Sequence, residues 1–304
     1  MKRIIGSFLL LSSVLLVACA HKPQPQSFTK ARHTNHLFSA HLPSFSAVDV
    51  NANVDLKILV GGKYRQSVKV IGDAASVNNL LGIVKEGTLY ITVKDQAKPQ
   101  RRVDIVIHTP YLLKLVVGGS ANATVRDLNN MSLTVVGTGS GQIDLSGEVN
   151  LQQLDLSGTS KVNIKNIRSR NLAIKVNGKN IVHIKGAAAL NQLDFSGEGW
   201  LGMYWVDSPL LYVTGRGNAY AELGGRVKTL NAEIYDKAFF NAQYLRTQHS
   251  YVKTHTEARA DLQVTEDQNT LAMDQSNIYY YKMPKLKADY MTGSGAVLDM
   301  DGMR

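Results

Sequence analysis

Two aspartates, Asp155 and Asp194, are placed in the sequence as a pair of catalytic carboxylates could be. Each stands between two apolar residues of a repeated phrase, at 154–156 and 193–195, and Lys175 holds the equivalent position between them. If the phrases stack as strands ~4.8 Å apart, the two carboxylates lie roughly 10 Å apart, near the upper limit for an inverting glycosidase. The intervening lysine instead favours a solvent-exposed charge ladder, because alternating signs avoid the stacking of like charges. We therefore predict no catalytic residue in this column, and a polysaccharide-active enzyme is the less favoured alternative.

Aromatic residues become frequent at and beyond residue 200, which makes the second half of the chain the better place for a binding surface. An exposed ring can stack on a sugar or pack against a partner protein, and a nearby guanidinium adds a charged contact. The predicted surface consists of Trp200, Tyr204, Trp205, Tyr212, Arg216 and Tyr220. The alternative is that the late rings fill a core that is wider in this part of the chain. Alternation along a strand requires that either Tyr280 or both of its tyrosine neighbours face outward.

The sequence lacks the other familiar catalytic and cofactor motifs. It contains no Gly-x-Ser-x-Gly nucleophile turn, no phosphate loop and no His-Glu-x-x-His metal motif. His33, His36 and His41 lie in a polar stretch without a cysteine or a carboxylate that would complete a metal site. We therefore predict no catalytic residue, no metal and no cofactor.

The charge of the chain bears on its partners. The formal net charge is +10 at pH 7, and the basic residues are spread along the chain rather than gathered in one run. Such an excess favours anionic partners such as lipopolysaccharide, acidic glycans or phospholipid headgroups, although solubility alone also explains it. Because no nucleic-acid-binding motif is present, nucleic acid is not a predicted partner.

The first 19 residues have the features of an export signal. Lys2 and Arg3 precede an apolar run over 4–17, which is short for a membrane-spanning helix. The run ends in Leu-Val-Ala-Cys at 16–19, which resembles the lipobox, the cleavage signal of bacterial lipoproteins. That resemblance implies a cleaved signal peptide over 1–19 and an acyl chain such as palmitate on Cys19. An uncleaved signal anchor and an ordinary secretory signal are the alternatives.

The segment after the signal predicts a tether to a membrane. Cys19 is the single cysteine, so no disulfide can form within the chain. Residues 20–42 contain Pro23 and Pro25 and lack an apolar period, which predicts a flexible linker. Ala20 stands where an aspartate retains enterobacterial lipoproteins in the inner membrane, and the lack of that aspartate favours the outer membrane. The membrane, reached through the lipid anchor, is therefore the first predicted partner.

A loose phrase recurs about every 19 residues from about residue 115 onward. It reads apolar-x-apolar-x-Gly-x-small-x-apolar-x-apolar, as in 154–164 and 193–203. A small or aliphatic residue marks each unit, at Ala123, Ile143, Val162, Val182, Leu201, Ala219, Ala238, Ala258, Ile278 and Ala296. Steps of 18–20 residues between these ten markers predict a solenoid, in which stacking buries the apolar face that one unit cannot bury alone.

Glycines recur at one position of the repeat, which predicts a turn with positive φ. They are Gly139, Gly158, Gly178, Gly197 and Gly215. After residue 225 the column changes to Asp236, His255 and Gln275, and glycine returns at 293 and 295. We therefore expect the later turns to be built differently or less tightly.

Residues 43–110 are predicted to form strands that lead into the repeat. Alternation over 54–58 predicts a half-buried strand, and Gly-Gly-Lys at 61–63 predicts a turn that returns the chain as an antiparallel strand over 67–71. Glu-Gly at 86–87 predicts a second hairpin.

The order of these strands, followed by Pro110 and by Gly-Gly-Ser-Ala at 118–121, resembles the GIN domain, a head domain described as a putative auto-transporter adhesin. The resemblance covers about residues 45–223. It implies an envelope protein of bacteria, often a lipoprotein, with a solenoid of stacked β-turns. The fold prediction is an all-β chain: a right-handed single-stranded parallel β-helix (β-solenoid) of about ten 18–20-residue rungs over 111–304, preceded by antiparallel strands over 43–110.

These features together predict a lipid-anchored protein of the bacterial cell envelope. Its solenoid is expected to be non-catalytic and adhesin-like or ligand-binding. A glycan, lipopolysaccharide or another protein is the expected partner besides the membrane. A structural or assembly lipoprotein of the periplasm is the alternative.

Overall fold

The computed structural model describes residues 36–38, 42–98, 100–129 and 132–301. The predicted signal peptide, Cys19 and most of the predicted tether lie outside the described residues. Within the described ranges, no helix is long and apolar enough to cross a membrane.

The described residues form strands β1–β21, which join in one sheet, and a short helix, α1. The N-terminal elements are β1 (His36–Phe38), β2 (Ala47–Asn51), β3 (Val54–Val60), β4 (Ser67–Ile71), α1 (Ala74–Asn79), β5 (Leu80–Lys85), β6 (Thr88–Val93) and β7 (Val103–Thr109). The strands of the repeat are β8 (Lys114–Gly118), β9 (Asn122–Asn129), β10 (Leu133–Gly137), β11 (Gln142–Glu148), β12 (Leu151–Gly158), β13 (Lys161–Gly178), β14 (Ile181–Phe195), β15 (Trp200–Gly215), β16 (Tyr220–Ile234), β17 (Phe239–Thr254), β18 (Arg259–Ala272), β19 (Asn277–Tyr280), β20 (Leu286–Met291) and β21 (Ala296–Asp299).

Strand β15 shows how one repeated unit forms one turn of the solenoid, which we call a rung. It bends where two exposed residues follow each other at 204–205 and again near 210, where the inward alternation skips a residue. Each rung therefore has three straight faces: face B (200–203), face C (206–209) and face A (211–215). The residues of β15 that point inward and are buried include Leu201, Met203, Val206, Ser208, Leu211 and Val213.

Successive rungs stack in register through parallel pairing, as β15 does with β14 and β16. The nine steps between the ten predicted markers correspond to the solenoid's length of about nine turns. Because every rung places apolar residues inside, the buried residues form one cluster that extends through the stack. The predicted parallel β-solenoid is confirmed.

The register corrects four of the ten predicted markers. Leu201 pairs with Ala221 rather than with Ala219. The column continues through Phe240, Ala260, Ile278 and Val297, so Ala238, Ala258 and Ala296 are displaced as well. The predicted alanines at 219, 238 and 258 are also buried, and each lies two residues before the residue that pairs in the column. Because residues two apart share one side of a strand, the pattern alone cannot distinguish the two columns.

The glycine turn is a ladder of left-handed residues that continues along the solenoid. Residues with positive φ stack at this position, at Gly158, Gly178, Gly197, Gly217, Asp236, Thr256, Asp274 and Gly293. The next residue donates its backbone N–H to the left-handed residue one rung earlier, as Glu198 does to the carbonyl of Gly178 at 2.9 Å. The expected change in the later turns is confirmed in part. A hydrogen bond closes the later turns, as from the Ala258 N–H to the His255 carbonyl at 3.1 Å, and φ is 60–63° at Asp236, Thr256 and Asp274 against 89–133° at Gly158, Gly178 and Gly197. The later turns are therefore built differently, but they are not less tight. The column also passes through Gly217, Thr256 and Asp274 rather than through the predicted Gly215, His255 and Gln275.

Aspartate replaces glycine in this ladder where its side chain binds the preceding rung. Asp236 Oδ2 accepts a hydrogen bond from the backbone N–H of Gly217 at 2.9 Å. Asp274 Oδ2 accepts one from Thr256 N–H, also at 2.9 Å. Aspartate tolerates the left-handed conformation better than most residues, and the added bond offsets the remaining cost.

A second left-handed position, at the corner between faces B and C, alternates over two rungs. Asp127, Asn166 and Trp205, spaced 39 residues apart, have φ values of 59°, 60° and 65°. The intervening rungs have Gly147, Gly186 and Gly225 at the corresponding place. A Cβ on Gly186 would lie 2.5 Å from the backbone nitrogen of Ile167, so glycine lets one rung pack closely on the left-handed corner of the preceding rung. This corner therefore repeats every two rungs, unlike the apolar phrase, which repeats every rung.

The N-terminal strands enter the solenoid out of sequence order. β2 lies between β6 and β8, and β3 lies between β7 and β9, with parallel pairing on both sides. β4 pairs antiparallel with β1 and β7, and β5 pairs antiparallel with β6. The predicted antiparallel strands and the hairpin at 86–87 are thus confirmed. The predicted return of 67–71 against β3 is wrong, because both edges of β3 are already paired.

Candidate functional site

Three aromatic side chains form a ladder on the outer side of face B. Trp200, Tyr220 and Phe239 pair in register on consecutive rungs. Each precedes an inward residue of its strand, so alternation places all three rings outside. The rings of Trp200 and Tyr220 are stacked with centroids 6.2 Å apart, and Tyr220 meets Phe239 edge to face at 5.0 Å. Both separations lie in the favourable range for aromatic pairs.

Gly202 lets the indole of Trp200 lie along its own strand. A Cβ at Gly202 would lie 2.2 Å from a ring carbon of Trp200. The indole also packs against the imidazole of His183 in the preceding rung, with ring centroids 4.6 Å apart. Trp200 is therefore held in position by two neighbours and is only partly exposed.

The corner between faces B and C carries three further rings. Tyr204, Trp205 and Tyr244 are 42%, 67% and 59% exposed. Gly224, which pairs in register with Tyr244, leaves room for Tyr204, because a Cβ there would lie 2.7 Å from the Tyr204 ring. The aromatic patch is defined by the three ladder residues and the three corner residues, namely Trp200, Tyr204, Trp205, Tyr220, Phe239 and Tyr244.

The backbone of Trp205 is unusual for a tryptophan. Among the non-glycine residues of the described chain that have positive φ, it is the only aromatic one. Its equivalents two and four rungs earlier are Asn166 and Asp127, types that adopt the left-handed conformation more readily. For other residues this conformation costs roughly 1–2 kcal/mol. A bulky residue kept there against that cost points to a role for its exposed side chain.

Glu222 connects the ladder to the corner. The hydroxyls of Tyr204 and Tyr220 both donate hydrogen bonds to its carboxylate, the latter at 3.0 Å. Asn241 Nδ2 donates to the Tyr220 hydroxyl oxygen, also at 3.0 Å. The hydrogen bond to Glu222, with burial as the second cause, raises the pKa of Tyr204 to about 12. The Tyr204 hydroxyl therefore keeps its proton at physiological pH.

Arg259 continues the ladder on the next rung. Its guanidinium lies 4.4 Å from the ring centroid of Phe239 and 4.6 Å from that of Tyr279. It donates two hydrogen bonds to the buried carboxylate of Asp261, at 2.7 and 2.8 Å. The bonds to Asp261 raise the pKa of Arg259 above its ordinary value. Cation–π contacts and a two-pronged ion pair thus hold this guanidinium against the sheet.

The structure brings together four of the six predicted binding residues. Those in the aromatic patch are Trp200, Tyr204, Trp205 and Tyr220. Phe239 and Tyr244 were missed by the sequence reasoning. Steps of 19 and 20 residues from Tyr220 and Gly224 would have found them, because these are the register steps of the solenoid.

Of the other two predicted residues, Tyr212 lies on face A, and Arg216 lies in the turn that follows this face. Tyr212 pairs in register with Gln192 of the preceding rung. The guanidinium of Arg216 lies 4.8 Å from the ring centroid of Tyr235. Proximity in sequence is misleading here, because a rung carries the chain around a corner within a few residues.

Some of the late rings do fill the core, as the alternative interpretation predicted. Phe240 and Tyr280 are buried. In the run 279–281, Tyr280 points inward and both neighbouring tyrosines are partly exposed, in agreement with strand alternation. The late aromatic residues therefore divide between core and surface.

The column of Asp155, Lys175 and Asp194 is a charge ladder on face A. Lys175 pairs in register with Asp155 on one side and with Asp194 on the other. Further along the same column, the ammonium of Lys253 lies 3.4 Å from the carboxylate of Glu233. An ammonium between two carboxylates fits the predicted ladder. Over the part of the chain that the structure describes, no group of three or more His, Cys, Asp or Glu side chains is arranged to hold a metal ion.

The chain is similar to several solved structures, although it matches no functionally curated protein. One is a protein of Bacteroides fragilis NCTC 9343 described as a putative adhesin (14% identity, 88% of this chain and 97% of that chain, TM-score 0.37). A second, from Parabacteroides distasonis ATCC 8503, is described as a putative lipid binding protein (15% identity, 88% and 98% covered, TM-score 0.43). A third, from Parabacteroides merdae ATCC 43184, is described as a putative adhesin (12% identity, 90% and 98% covered, TM-score 0.45).

A family model matches the first part of the folded chain, over residues 44–191. The predicted resemblance began at nearly the same residue and extended further, to about residue 223. The match ends before Trp200, so the aromatic patch lies outside it. The model is that of the family described as putative auto-transporter adhesin, head GIN domain, and residues 44–191 of this chain are similar to it.

Proposed function

We propose that this protein is a lipid-anchored component of the bacterial cell envelope whose solenoid binds a glycan, without catalysis, through the aromatic patch. The observation that carries the proposal is Trp205. Its indole is 67% exposed and its backbone adopts a conformation that tryptophan does not favour. The adhesin description of the family agrees with a binding role.

The chemistry of the aromatic patch suits a sugar ring. An aromatic face offers large apolar contact to the C–H face of a pyranose, and polar groups at the rim can bond its hydroxyls. Glu222 and Asn241 lie beside the rings and supply such groups. Ladder rings on three consecutive rungs, spaced ~4.8 Å apart, offer a repeated platform to a polymer.

The acids near the patch are engaged in structural bonds. Glu222 accepts hydrogen bonds from two tyrosine hydroxyls, and Asp261 is bound by Arg259. A glycosidase generally needs two carboxyl groups that flank the bond to be cleaved, one of them as a proton donor. Neither carboxylate is presented in that way, which supports binding without turnover.

The anchor follows from the motif at 16–19. Acylation of Cys19 would attach the chain to a membrane, and the predicted tether over 20–42 would separate the solenoid from it. One acyl chain gives only marginal membrane binding, whereas two or more give stable attachment. A cell-envelope location also agrees with the adhesin description of the family.

A glycan-binding screen with the full chain in detergent tests the function. Trp205→Ala and Tyr244→Ala change the patch, while Tyr212→Ala and Tyr251→Ala change rings of similar exposure on face A, at 53% and 55%. We expect each patch variant to weaken glycan binding by about tenfold or more, because an aromatic side chain that the ligand covers contributes at least ~1.4 kcal/mol to binding. The face A variants should bind as the parent does.

Three outcomes would contradict the proposal. If the patch variants and the face A variants weakened glycan binding equally, the aromatic patch would not be the binding site. Absence of glycan binding by the parent chain would remove the function, and release of new reducing ends would support the polysaccharide-active enzyme instead. Protease treatment of intact cells addresses the location: a solenoid that is spared lies in the periplasm, as a structural or assembly lipoprotein would.

A further inference from the structure

A groove of about 580 Å³ runs along face C, next to the corner of the aromatic patch. Its floor includes the buried residues Ser208 and Val227. Outward side chains of successive rungs form its two walls. Asp207, Arg226 and Arg246 form one wall in register, and the other carries Pro209, Lys228 and Gln248.

The groove has more positive charge than its own acids neutralise. Arg226 Nη2 lies 2.7 Å from Asp207 Oδ2. The second acid, Glu266, is paired with Lys285 at 2.6 Å. Lys228 and Arg246 form no ion pair with any residue in the described ranges. Two cations of the groove are therefore free to meet an anion from outside.

Two arginines of the groove stack directly on each other, whereas opposite charges alternate on face A. Arg226 pairs in register with Arg246 on the adjacent strand, ~4.8 Å away. Like charges directly opposite each other are destabilising. On face A the solenoid avoids this arrangement, since Lys175 separates two aspartates. Asp207 pairs with Arg226 from the preceding rung, so an anion bound beside Arg246 would compensate the charge that remains on face C.

We propose that this groove binds the anionic groups of an acidic polysaccharide, with Lys228 and Arg246 as the principal contacts. A guanidinium presents a planar fork of donors that matches carboxylate, sulfate and phosphate oxygens. Such charge-assisted bonds are stronger than those between neutral groups. The inference rests on the proposed glycan binding and adds the charge of the ligand to it.

The shape and place of the groove favour a polymer over a small anion. The groove crosses four rungs, from Asp207 to Thr265, which corresponds to roughly 14 Å along the solenoid. It begins two residues after Trp205, at the corner where the exposed rings lie. A glycan chain that stacks on the corner can therefore continue along face C.

Titration of the full chain with dextran sulfate tests this inference, with uncharged dextran as the matched polymer. The double variant Lys228→Gln/Arg246→Gln removes the free cations of the groove. The control Lys165→Gln/Lys175→Gln removes the same charge at exposed positions outside it. We expect the groove variant to bind dextran sulfate at least about tenfold more weakly than the parent chain. Its affinity should also depend less on the salt concentration. The control should leave the affinity unchanged.

Several results would overturn the inference. Equal weakening by the two double variants would show a response to net charge alone, and a parent chain that does not bind dextran sulfate would exclude the groove as a site. If the groove variant instead lost binding to phosphatidylglycerol vesicles and kept dextran sulfate, the partner would be a membrane surface. If Trp205→Ala lost glycan binding while the groove variant bound dextran sulfate as the parent does, the proposed function would stand and only the groove would be rejected.

Discussion

At Trp205 the backbone and the side chain have opposing preferences. The left-handed corner suits the asparagine and aspartate found at equivalent positions, Asn166 and Asp127. The exposed indole, in contrast, is the largest apolar surface at the corner. Sites that bind ligands often retain such strain at some cost to stability. Stability and binding should therefore change in opposite directions when this residue is replaced.

Replacing Trp205 by glycine should stabilise the protein while it weakens glycan binding. Glycine adopts positive φ without steric cost, so the free energy of unfolding should rise by about 0.5–1 kcal/mol. Urea unfolding followed by circular dichroism measures this change. As a control, Tyr212→Gly places glycine in an extended strand and should lower stability by about 0.5–1 kcal/mol. Lower stability of the Trp205 variant would show that the backbone there is not strained.

Tyr204 should make stability depend on alkaline pH. Its pKa is about 12 in the folded chain, whereas an unperturbed tyrosine titrates near pH 10. The folded state holds the proton of Tyr204 more tightly than the unfolded state does. The resulting contribution to the free energy of unfolding is fully present below about pH 10 and is lost as the pH rises towards 12. Tyr204→Phe should flatten the loss of stability in that window and remove one late step from the tyrosinate absorbance titration. Glu222→Gln should move that step to lower pH, and a titration unchanged by both variants would refute the assignment.

At the scale of the element, the left-handed ladder holds the rungs at a close distance. A Cβ on Gly178 would lie 2.4 Å from the carbonyl oxygen of Gly158, closer than any real Cβ contact. The later rungs use Asp236 and Asp274, whose carboxylates bind the preceding rung. Glycine and aspartate thus hold this left-handed position in different ways, glycine through the lack of a side chain and aspartate through a hydrogen bond.

Gly178→Ala should destabilise the solenoid strongly. The added methyl group meets backbone atoms and the φ of +96° disfavours any side chain. We expect a loss of about 2–4 kcal/mol, as for other substitutions at strained backbone positions. Gly62→Ala is the matched control, because a Cβ there meets nothing within 4 Å, and it should change stability by less than about 0.5 kcal/mol. Similar midpoints of thermal unfolding for the two variants would contradict this account of the turn.

At the scale of the whole molecule, the faces of one solenoid have different surface chemistry. Face B and its corner carry the aromatic patch, face C carries the basic groove, and face A carries a ladder of alternating charges. Stacking makes each of these surfaces continuous across rungs, although a single rung contributes only one or two side chains to it. A long ligand can therefore contact several rungs of the same face.

The proposed anchor gives a prediction for the whole chain in cells. Cys19→Ser removes the thiol that the acyl chain would modify, so labelling with radioactive palmitate should disappear. The variant should also leave the membrane fraction, since membrane attachment depends on the buried acyl chains. The parent chain and the Trp205→Ala variant serve as controls and should remain labelled. A labelled Cys19→Ser variant would exclude acylation at this residue.

The sequence allowed the scaffold to be predicted further than the site. The 18–20-residue period and the alternation around Leu201 and Leu154 were enough for the solenoid and its core. The structure brings together four of the six residues predicted from the sequence, whereas Tyr212 and Arg216 lie elsewhere, and the groove around Arg246 was not predicted. The two cations of the groove that form no ion pair within the described residues, Lys228 and Arg246, come from adjacent rungs, so they are 18 residues apart in sequence and form no visible run.

By itself, the sequence determined the repeat, the strands and the residues that point inward, because these depend on local spacing and on the alternation of side chains along a strand. Only the tertiary structure decided which outward residues share a face. Each rung turns three corners, and the register between rungs depends on how the stacked cores pack. It is this register that places Trp200 beside Tyr220, sets Arg226 against Arg246, and separates both pairs from Tyr212.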